Sequence, residues 1–202
     1  MVTRNGVIER KTGETRIRAA ITLDGEGETV SSIATPDGFF SHMLDALSRH
    51  SGIALRLGAE GDTHVDLHHT VEDTGIAIGE ALDQALGERA GVVRFAHAYA
   101  PLDEALARAV IDLSGRGFFV WEAPERIERG WVTQEFPLTL VADFFQAFAD
   151  RGRLTLHLTV IAGRNPHHVA EACFKAVAVA LRQAVALRPG GGVPSTKGTL
   201  SA

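Results

Sequence analysis

The sequence predicts an α+β protein made of two similar halves, and three observations lead to this prediction. The pattern His-His-x-x-Glu occurs twice, at residues 68–72 and 167–171, with the two copies 99 residues apart. Each copy follows a segment of alternating apolar and polar residues and a glycine-containing turn, which is typical of a strand that leads into a helix. Each is also preceded, further upstream, by an apolar stretch of helical period. A repeat of this kind indicates a duplicated unit.

In the first half, a strand-like segment predicts a strand over residues 16–23, and apolar residues at helical spacing predict a short helix over 39–47. The alternating segment 53–60 predicts another strand, which ends at the turn around Gly61. The long helix that follows carries the first motif and is expected to stop at Gly87, because glycine is a common helix terminator.

The second half repeats this order. Its predicted elements are strands over 106–113 and 118–121, a helix over 142–148, a strand over 153–160 and a long helix from the second motif towards Pro189. We place the two halves at about residues 1–93 and 94–188 of a single domain that spans 1–202. The glycine- and proline-rich tail, residues 189–202, is predicted to be a flexible arm rather than packed structure.

The composition excludes several classes of protein. Of the 202 residues, 45% are hydrophobic and 22% are charged, as in an ordinary globular protein rather than a disordered or collagen-like chain. The formal net charge of −5 argues against a broad surface for nucleic-acid phosphates. A single cysteine cannot form an internal disulfide, and neither a signal sequence nor a long apolar run is recognisable. We therefore expect a cytoplasmic protein without nucleic-acid or membrane partners.

Histidine is the residue type that points to chemistry, because eight of the nine histidines fall in two stretches of the chain. On a helix, residues four apart share a face, whereas adjacent residues diverge by about 100°. His68 and Glu72 can therefore bind one ion while His69 points elsewhere, and the same holds for the second motif. The duplication predicts a binuclear site of imidazole and carboxylate ligands, suited to Mn, Fe, Co or Zn. Cys173 is expected to be a small buried apolar residue rather than a ligand.

Several basic residues stand beside or within three residues of glycine or serine, namely Arg94, Arg116 and Lys197 of the segment 194–198. Small residues let the backbone approach an anion closely, while arginine and lysine bind phosphate oxygens. Lys175 follows Glu171 by one helical turn on the same face. Together these residues predict a phosphorylated substrate whose other end reaches the metal ions.

Short motifs follow one another along nearly the whole chain: Glu14-Thr15, Leu23-Asp24-Gly25, Phe39 to Leu44, Gly61-Asp62, His64-Val65-Asp66, His68 to Asp73, Asp103 to Leu106, Asp112 to Arg116, His167-His168 with Glu171, Phe174-Lys175 and Pro194 to Gly198. In this order they resemble imidazoleglycerol-phosphate dehydratase of histidine biosynthesis. The resemblance implies a carbon–oxygen lyase that dehydrates imidazole glycerol phosphate to imidazole acetol phosphate. It also implies two halves, each a four-stranded sheet with two helices, which is a duplicated ribosomal protein S5 domain 2-like fold. Assembly into manganese-dependent 24-subunit cages, with active sites between subunits, is implied as well.

The resemblance further implies two Mn²⁺ ions in each active site, with separate ligand sets. The first ion would be held by His42, His69, His167 and Glu171. The second would be held by His68, Glu72, His168 and, in a position where the family has a histidine or an acid before a Phe-Phe pair, Asp143. An aspartate side chain is shorter than that of histidine or glutamate, so it reaches less far towards an ion. His157 corresponds to a strand position that the family does not use for metal.

Roles in catalysis and substrate binding are carried over in the same way. Glu14 is the candidate acid or base, because a carboxylate near two cations and a substrate can be tuned for proton transfer. The predicted catalytic set consists of Glu14, His42, His68, His69, Glu72, His167, His168 and Glu171. The predicted substrate-binding set consists of Glu14, His50, Arg94, Arg116, Lys175, Ser195, Thr196 and Lys197.

Two other functions use similar residues. A binuclear metal hydrolase of phosphate esters would need bridging carboxylates that hold its metals about 3.5 to 4 Å apart, whereas the divergent imidazoles favour a wider separation. A metal-storage or cage-forming structural protein would have no use for basic residues that converge near the metals. Assays of phosphate release and of ketone formation from imidazole glycerol phosphate separate the three functions.

Overall fold

The computed structural model describes residues 3–24, 31–196 and 198–200. The elements of its first half are β1 (Asn5–Lys11), β2 (Thr15–Thr22), β3 (Ser32–Ala34), α1 (Gly38–Ser51), β4 (Ala54–Gly61) and α2 (His68–Leu86). The elements of its second half are β5 (Phe95–Leu102), β6 (Ala105–Asp112), β7 (Phe118–Glu122), α3 (Glu125–Glu128), α4 (Thr139–Arg151), β8 (Thr155–Ala162) and α5 (Pro166–Val185). Within these ranges, no helix has the length and apolar character needed to cross a lipid bilayer.

Each half forms its own four-stranded mixed sheet, in the orders β1-β2-β4-β3 and β5-β6-β8-β7. In both sheets the last strand of the order pairs in parallel and the others pair antiparallel. The predicted α+β fold of two similar halves is therefore confirmed. The sequence analysis missed β1, β3, β5 and the short helix α3. Strand β5 turns alanines inwards and larger residues such as Phe95 and Tyr99 outwards, so its burial does not follow side-chain size.

The helices of the two halves pack on each other between the two sheets, and each helix contact joins one helix from each half. Helix α1 of the first half packs on α5, and α2 packs on α4 of the second half. Gly75 and Gly79 make the second contact close, because a Cβ at either position would lie 2.6 Å from a backbone oxygen of α4. The short helix of each half therefore lies on the long helix of the other half, and the buried apolar residues form one core.

The described residues of the C-terminal segment are mostly exposed, but a few of them contact the second half, and the flexible arm over residues 189–202 stays a prediction. Helix α5 ends at Val185, and the chain beyond it returns to the start of β5. The backbone N–H of Gly91 donates to the carbonyl of Gly192 at 2.8 Å, and Arg94 donates to the carbonyl of Pro194 at 2.6 Å. Leu200 is only 6% exposed. Backbone carbonyls and the buried side chain of Leu200 make these contacts.

Candidate active site

A first cluster of potential ligands forms where the N-terminal turns of α1 and α5 meet. Nε2 of His167 lies 3.5 Å from Oε2 of Glu171, as expected for residues four apart on one helix, and Nε2 of His42 lies 3.9 Å from the same oxygen. Asn165 caps α5 by accepting from the backbone N–H of His167, and Pro166 occupies the first turn. The cap fixes where the helix begins and hence where the two motif residues face.

Lys175 extends the first cluster by one helical turn. Its Nζ lies 2.7 Å from Oε1 of Glu171. Burial acts to raise the pKa of Glu171, but the hydrogen bond and charge of Lys175, with the nearby imidazoles, outweigh it and lower the pKa. Glu171 is therefore an anionic carboxylate flanked by a cation on one side and two imidazoles on the other.

A second cluster of the same layout forms where α2 meets α4. Nε2 of His68 lies 3.7 Å from Oε2 of Glu72, and its Nδ1 lies 3.4 Å from Oδ2 of Asp143. Asp143 on α4 thus takes the place that His42 takes on α1 in the first cluster. Partial burial raises the pKa of Asp143, and the charge of Glu72 adds to this effect, while His68 acts in the opposite direction.

The other two motif histidines, His69 and His168, contact carboxylates outside both clusters, and we call them the outward histidines. The ring planes of His68 and His69 are inclined by 68°, and those of His167 and His168 by 86°. Nδ1 of His69 lies 3.0 Å from Asp62, which follows β4 directly. Nδ1 of His168 lies 2.8 Å from Glu104, which directly precedes β6. A carboxylate at Nδ1 fixes the ring and leaves Nε2 as the outward-facing ligand atom.

The carboxylates that hold these outward imidazoles have perturbed pKa values. The hydrogen bond from His168, together with backbone N–H donors of Asn165 and Arg164, lowers the pKa of Glu104 to about 2. The hydrogen bond between His69 and Asp62 lowers the pKa of Asp62 and raises the pKa of His69. The sequence reasoning gave neither carboxylate a role, although both belong to motifs that it had singled out.

Glu14 lies close to the outward imidazole of the first half. Its Oε2 is 3.8 Å from Nδ1 of His69, and its side chain is 56% exposed. Glu14, Asp62 and His69 can bring one ligand atom each within 4.8 Å of one another. This arrangement leaves the Glu14 carboxylate accessible beside the imidazole of His69, which is a candidate metal ligand.

The donor types of both clusters suit a divalent ion of mixed nitrogen and oxygen coordination. Each cluster presents imidazole nitrogens and carboxylate oxygens with donor atoms 3.4 to 3.9 Å apart. No thiolate is within reach, because Cys173 is fully buried and burial raises the pKa of its thiol. His42 and His68 are 56% and 46% exposed, so each cluster is open to a further ligand.

A basic pocket of about 820 Å³ lies elsewhere on the second half. The predicted substrate-binding residues among its lining are Arg94, Arg116, Ser195 and Thr196. Arg94 has a left-handed backbone with φ of 81°, and Asp112 holds its guanidinium at 2.7 Å. Arg188 also lines the pocket, although the sequence reasoning did not single it out. The pocket therefore groups arginine residues with serine and threonine residues, which are types that suit a phosphate group.

This pocket lies far from the first cluster within one chain. The backbone of Arg94 donates to Ala184 near the end of α5, whereas His167 lies in the first turn of the same helix. A helix rises 1.5 Å per residue, so about 25 Å of helix separates the two. The first cluster and the basic pocket of one chain therefore cannot contact the same small molecule.

The predicted substrate-binding residues outside the basic pocket have different outcomes. His50 is exposed in the last turn of α1, at the opposite end of that helix from His42. Lys197 lies outside the described residues. Lys175 lies in the first cluster and is not among the residues that line the basic pocket. His157, which was not predicted to be a ligand, is exposed on β8 and pairs with Val110 and Val120.

Comparisons with known proteins agree with this description. Residues 35–181 match the family model of imidazoleglycerol-phosphate dehydratase. Proteins of that name from Nitrobacter hamburgensis and Granulibacter bethesdensis are each 52% identical to this chain, and each alignment covers 98% of it and 98% and 100% of the relative, respectively. Among solved structures, the enzyme from Staphylococcus aureus is 36% identical with a TM-score of 0.78, covering 91% of this chain and 99% of that one. The enzyme from Pyrococcus furiosus is 33% identical with a TM-score of 0.80, covering 95% and 99%.

The matches span nearly the whole chain and include both His-His-x-x-Glu motifs within their range. The fold of two four-stranded sheets fits the same assignment. The chain therefore belongs to the imidazoleglycerol-phosphate dehydratase family of carbon–oxygen lyases.

Proposed function

We propose that this chain catalyses the dehydration of D-erythro-imidazole glycerol phosphate to imidazole acetol phosphate, a step of L-histidine biosynthesis in the cytoplasm. The observation that carries the proposal is the division of each histidine pair. One imidazole of each pair joins a ligand cluster inside the chain, and the other is turned outwards with a carboxylate at its Nδ1. Such an arrangement gives each half two separate imidazole ligands, which suits a site that holds two divalent ions.

Two Mn²⁺ ions are the proposed cofactors of each active site. His42, His167 and Glu171 would hold one, and His68, Glu72 and Asp143 would hold the other. His69 and His168 of neighbouring copies would complete the two sets, because in its own chain each is held by a carboxylate outside the clusters. When bound, two divalent ions would supply positive charge that stabilises the negative charge developing on the substrate during the reaction.

The proposed assembly is a 24-subunit cage with active sites between subunits. Its support is that one chain keeps its ligand clusters, its outward histidines and its basic pocket apart. A further support is the outer face of the second sheet, where Phe95, Tyr99 and Phe118 are 56 to 60% exposed. Large apolar side chains grouped on one face are typical of surfaces that other subunits cover.

Residues of the chain supply the remaining chemistry. The basic pocket of one copy would bind the phosphate through Arg94 and Arg116, and the hydroxyls of Ser195 and Thr196 would add hydrogen bonds. Lys197 is assigned to the same phosphate by the family resemblance. Loss of water removes a hydroxyl from the carbon beside the ring and a hydrogen from the next carbon, giving an enol that tautomerises to the ketone. Glu14 would move the protons of this sequence, because its carboxylate lies beside His69 and is accessible.

The assembled protein, loaded with Mn²⁺, tests the proposal directly. Imidazole glycerol phosphate is supplied, and the enolisable ketone and inorganic phosphate are measured in parallel. Ketone formation without phosphate release supports the dehydratase, whereas phosphate release would show the binuclear hydrolase instead. Absence of both products in metal-loaded protein would favour a storage or cage-forming role.

A further inference from the structure

Three polar residues are packed together beneath the turn that carries Glu14. The hydroxyl of Thr15 donates to Oδ2 of Asp73 at 2.5 Å, and a guanidinium nitrogen of Arg10 lies 2.8 Å from Oδ1 of the same carboxylate. Thr15 is 5% and Asp73 7% exposed. We call Arg10, Thr15 and Asp73 the polar triad. Removing a charged group from water is costly even when it is paired, so the triad calls for an explanation.

The second half shows that the fold itself does not need the triad. The equivalent positions, defined by strand pairing and by the His-His-x-x-Glu motif, are Ala100, Ala105 and Ala172. All three alanines are buried beside the corresponding β5–β6 turn. The same sheet and helix therefore form with small apolar residues in place of all three polar side chains. Stability of the fold gives no reason for a buried charge at this position of the first half only.

The triad differs from its counterpart in what it supports. Oγ1 of Thr12 accepts from the backbone N–H groups of Glu14 and Thr15 at 3.1 and 2.9 Å, which closes the turn around Glu14. The hydroxyls of Thr12 and Thr15 are 3.2 Å apart, so Thr15 joins this turn to Asp73. Asp73 lies on α2 one turn after His69, on the same face of the helix. A continuous chain of hydrogen bonds thus runs from the Glu14 turn to the helix that carries His69.

The counterpart of Glu14 is positioned in another way. Glu104 occupies the equivalent place before β6, and its own carboxylate is fixed by His168 and by backbone N–H groups of Arg164 and Asn165. The carboxylate of Glu14 is 56% exposed and only 3.8 Å from His69. A carboxylate that must stay accessible cannot be fixed through its own oxygens, so its position has to be set through its backbone.

We propose that the polar triad is a positioning device for Glu14. It fixes the turn that carries this carboxylate against α2, so that the distance between Glu14 and His69 is held without using the carboxylate itself. The proposal rests on the acid–base role of Glu14 in the proposed function. Arg10, Thr15 and Asp73 are positioning residues in this sense and need not touch the substrate.

Thr15→Val tests the proposal in the assembled, Mn²⁺-loaded enzyme, because valine keeps the branched shape and removes the hydroxyl. We expect kcat to fall by about tenfold or more, since small misplacements of a catalytic group are costly. KM, bound metal per subunit and assembly size by light scattering should stay within about twofold of the parent, as expected when only a transition-state interaction is lost. Thr15→Ser should restore most of kcat, because it returns the hydroxyl. Thr22→Val, at the other end of β2, is the matched control and should leave kcat unchanged.

Glu14→Gln separates this proposal from the proposed function. With Glu14→Gln present, adding Thr15→Val should lower kcat no further, because the two changes act through one group. Full kcat in Thr15→Val, with a large loss in Glu14→Gln, would overturn the positioning role alone. Full kcat in Glu14→Gln would overturn the role of Glu14 and the positioning proposal with it. Loss of bound metal or of assembly in Thr15→Val would assign the triad to structure and overturn the proposal.

Discussion

The two halves of the chain hold their outward-facing histidines with carboxylates from different places. In the first half, Asp62 after β4 holds His69, and Glu14 before β2 remains accessible. In the second half, Glu104 before β6 holds His168 directly. Glu14 and Glu104 occupy equivalent positions, yet one is free for proton transfer in the proposed mechanism while the other is fixed by hydrogen bonds. The same backbone position thus orients a histidine in the second half and, in the proposed mechanism, transfers protons in the first half.

Removal of a proposed metal ligand from either half is expected to have the largest effect on activity. His68→Ala and His168→Ala should each reduce dehydration to below about 1% of the parent, because each removes a ligand that the ion needs for binding and catalysis. Bound metal per subunit and assembly size should fall together with kcat. His157→Ala on the exposed face of β8 serves as the control and should be fully active. Normal turnover with unchanged metal content in both variants would refute the ligand assignment.

Exchange of the two equivalent glutamates for glutamine sharpens the comparison most directly. Glu14→Gln should lower kcat by about 10² to 10⁴ with metal affinity unchanged, because general acid–base catalysis contributes an effect of this size. Glu104→Gln should lower metal affinity by about 10- to 100-fold, because it loosens the imidazole of His168, and saturating Mn²⁺ should restore much of its kcat. Metal titration of activity distinguishes the two. Identical behaviour of the two variants would show that the halves do not differ in this way.

A pocket on each half is lined by arginines, and only the pocket on the second half is expected to bind the substrate phosphate. Arg116→Ala, in the pocket beside the C-terminal segment, should raise KM by about tenfold through weaker phosphate binding with a smaller change in kcat. Lys197→Ala is expected to act in the same direction. Arg18→Ala, in a pocket on the first half that is lined by Arg16 and Arg18, is the matched control and should leave KM unchanged. An unchanged KM in Arg116→Ala would argue against its role in phosphate binding.

The smallest expected effect is on the pH dependence of stability. The pKa of Glu104 is lowered to about 2 in the folded chain. Its ionised form therefore stabilises the native state above the ordinary glutamate pKa, and this contribution declines as pH falls towards 2. In metal-depleted protein, the Tm of Glu104→Gln should lie below that of the parent at pH 6, and the two should converge near pH 2. A difference in Tm that does not depend on pH would contradict this origin.

The sequence alone was sufficient for the local geometry of the motifs. Because residues four apart share a helix face, His68 had to lie near Glu72, and His167 near Glu171, while the adjacent histidines had to diverge. The duplication and the positions of the main helices followed from the repeated pattern. The strands that were missed, such as β5 with its inward alanines, lack the alternation of large apolar residues on which such a prediction depends.

Only the tertiary structure decided which helices face each other and what holds the outward imidazoles. The packing of α1 on α5 brings His42 to the second motif, and the close contact at Gly75 and Gly79 brings α4, with Asp143, to the first motif. Helical periodicity is a local property of the chain, so the sequence determines which side chains share a face. The partner of that face is set by packing between residues far apart in the chain, and so are the carboxylates that orient the histidines and the polar triad beneath Glu14.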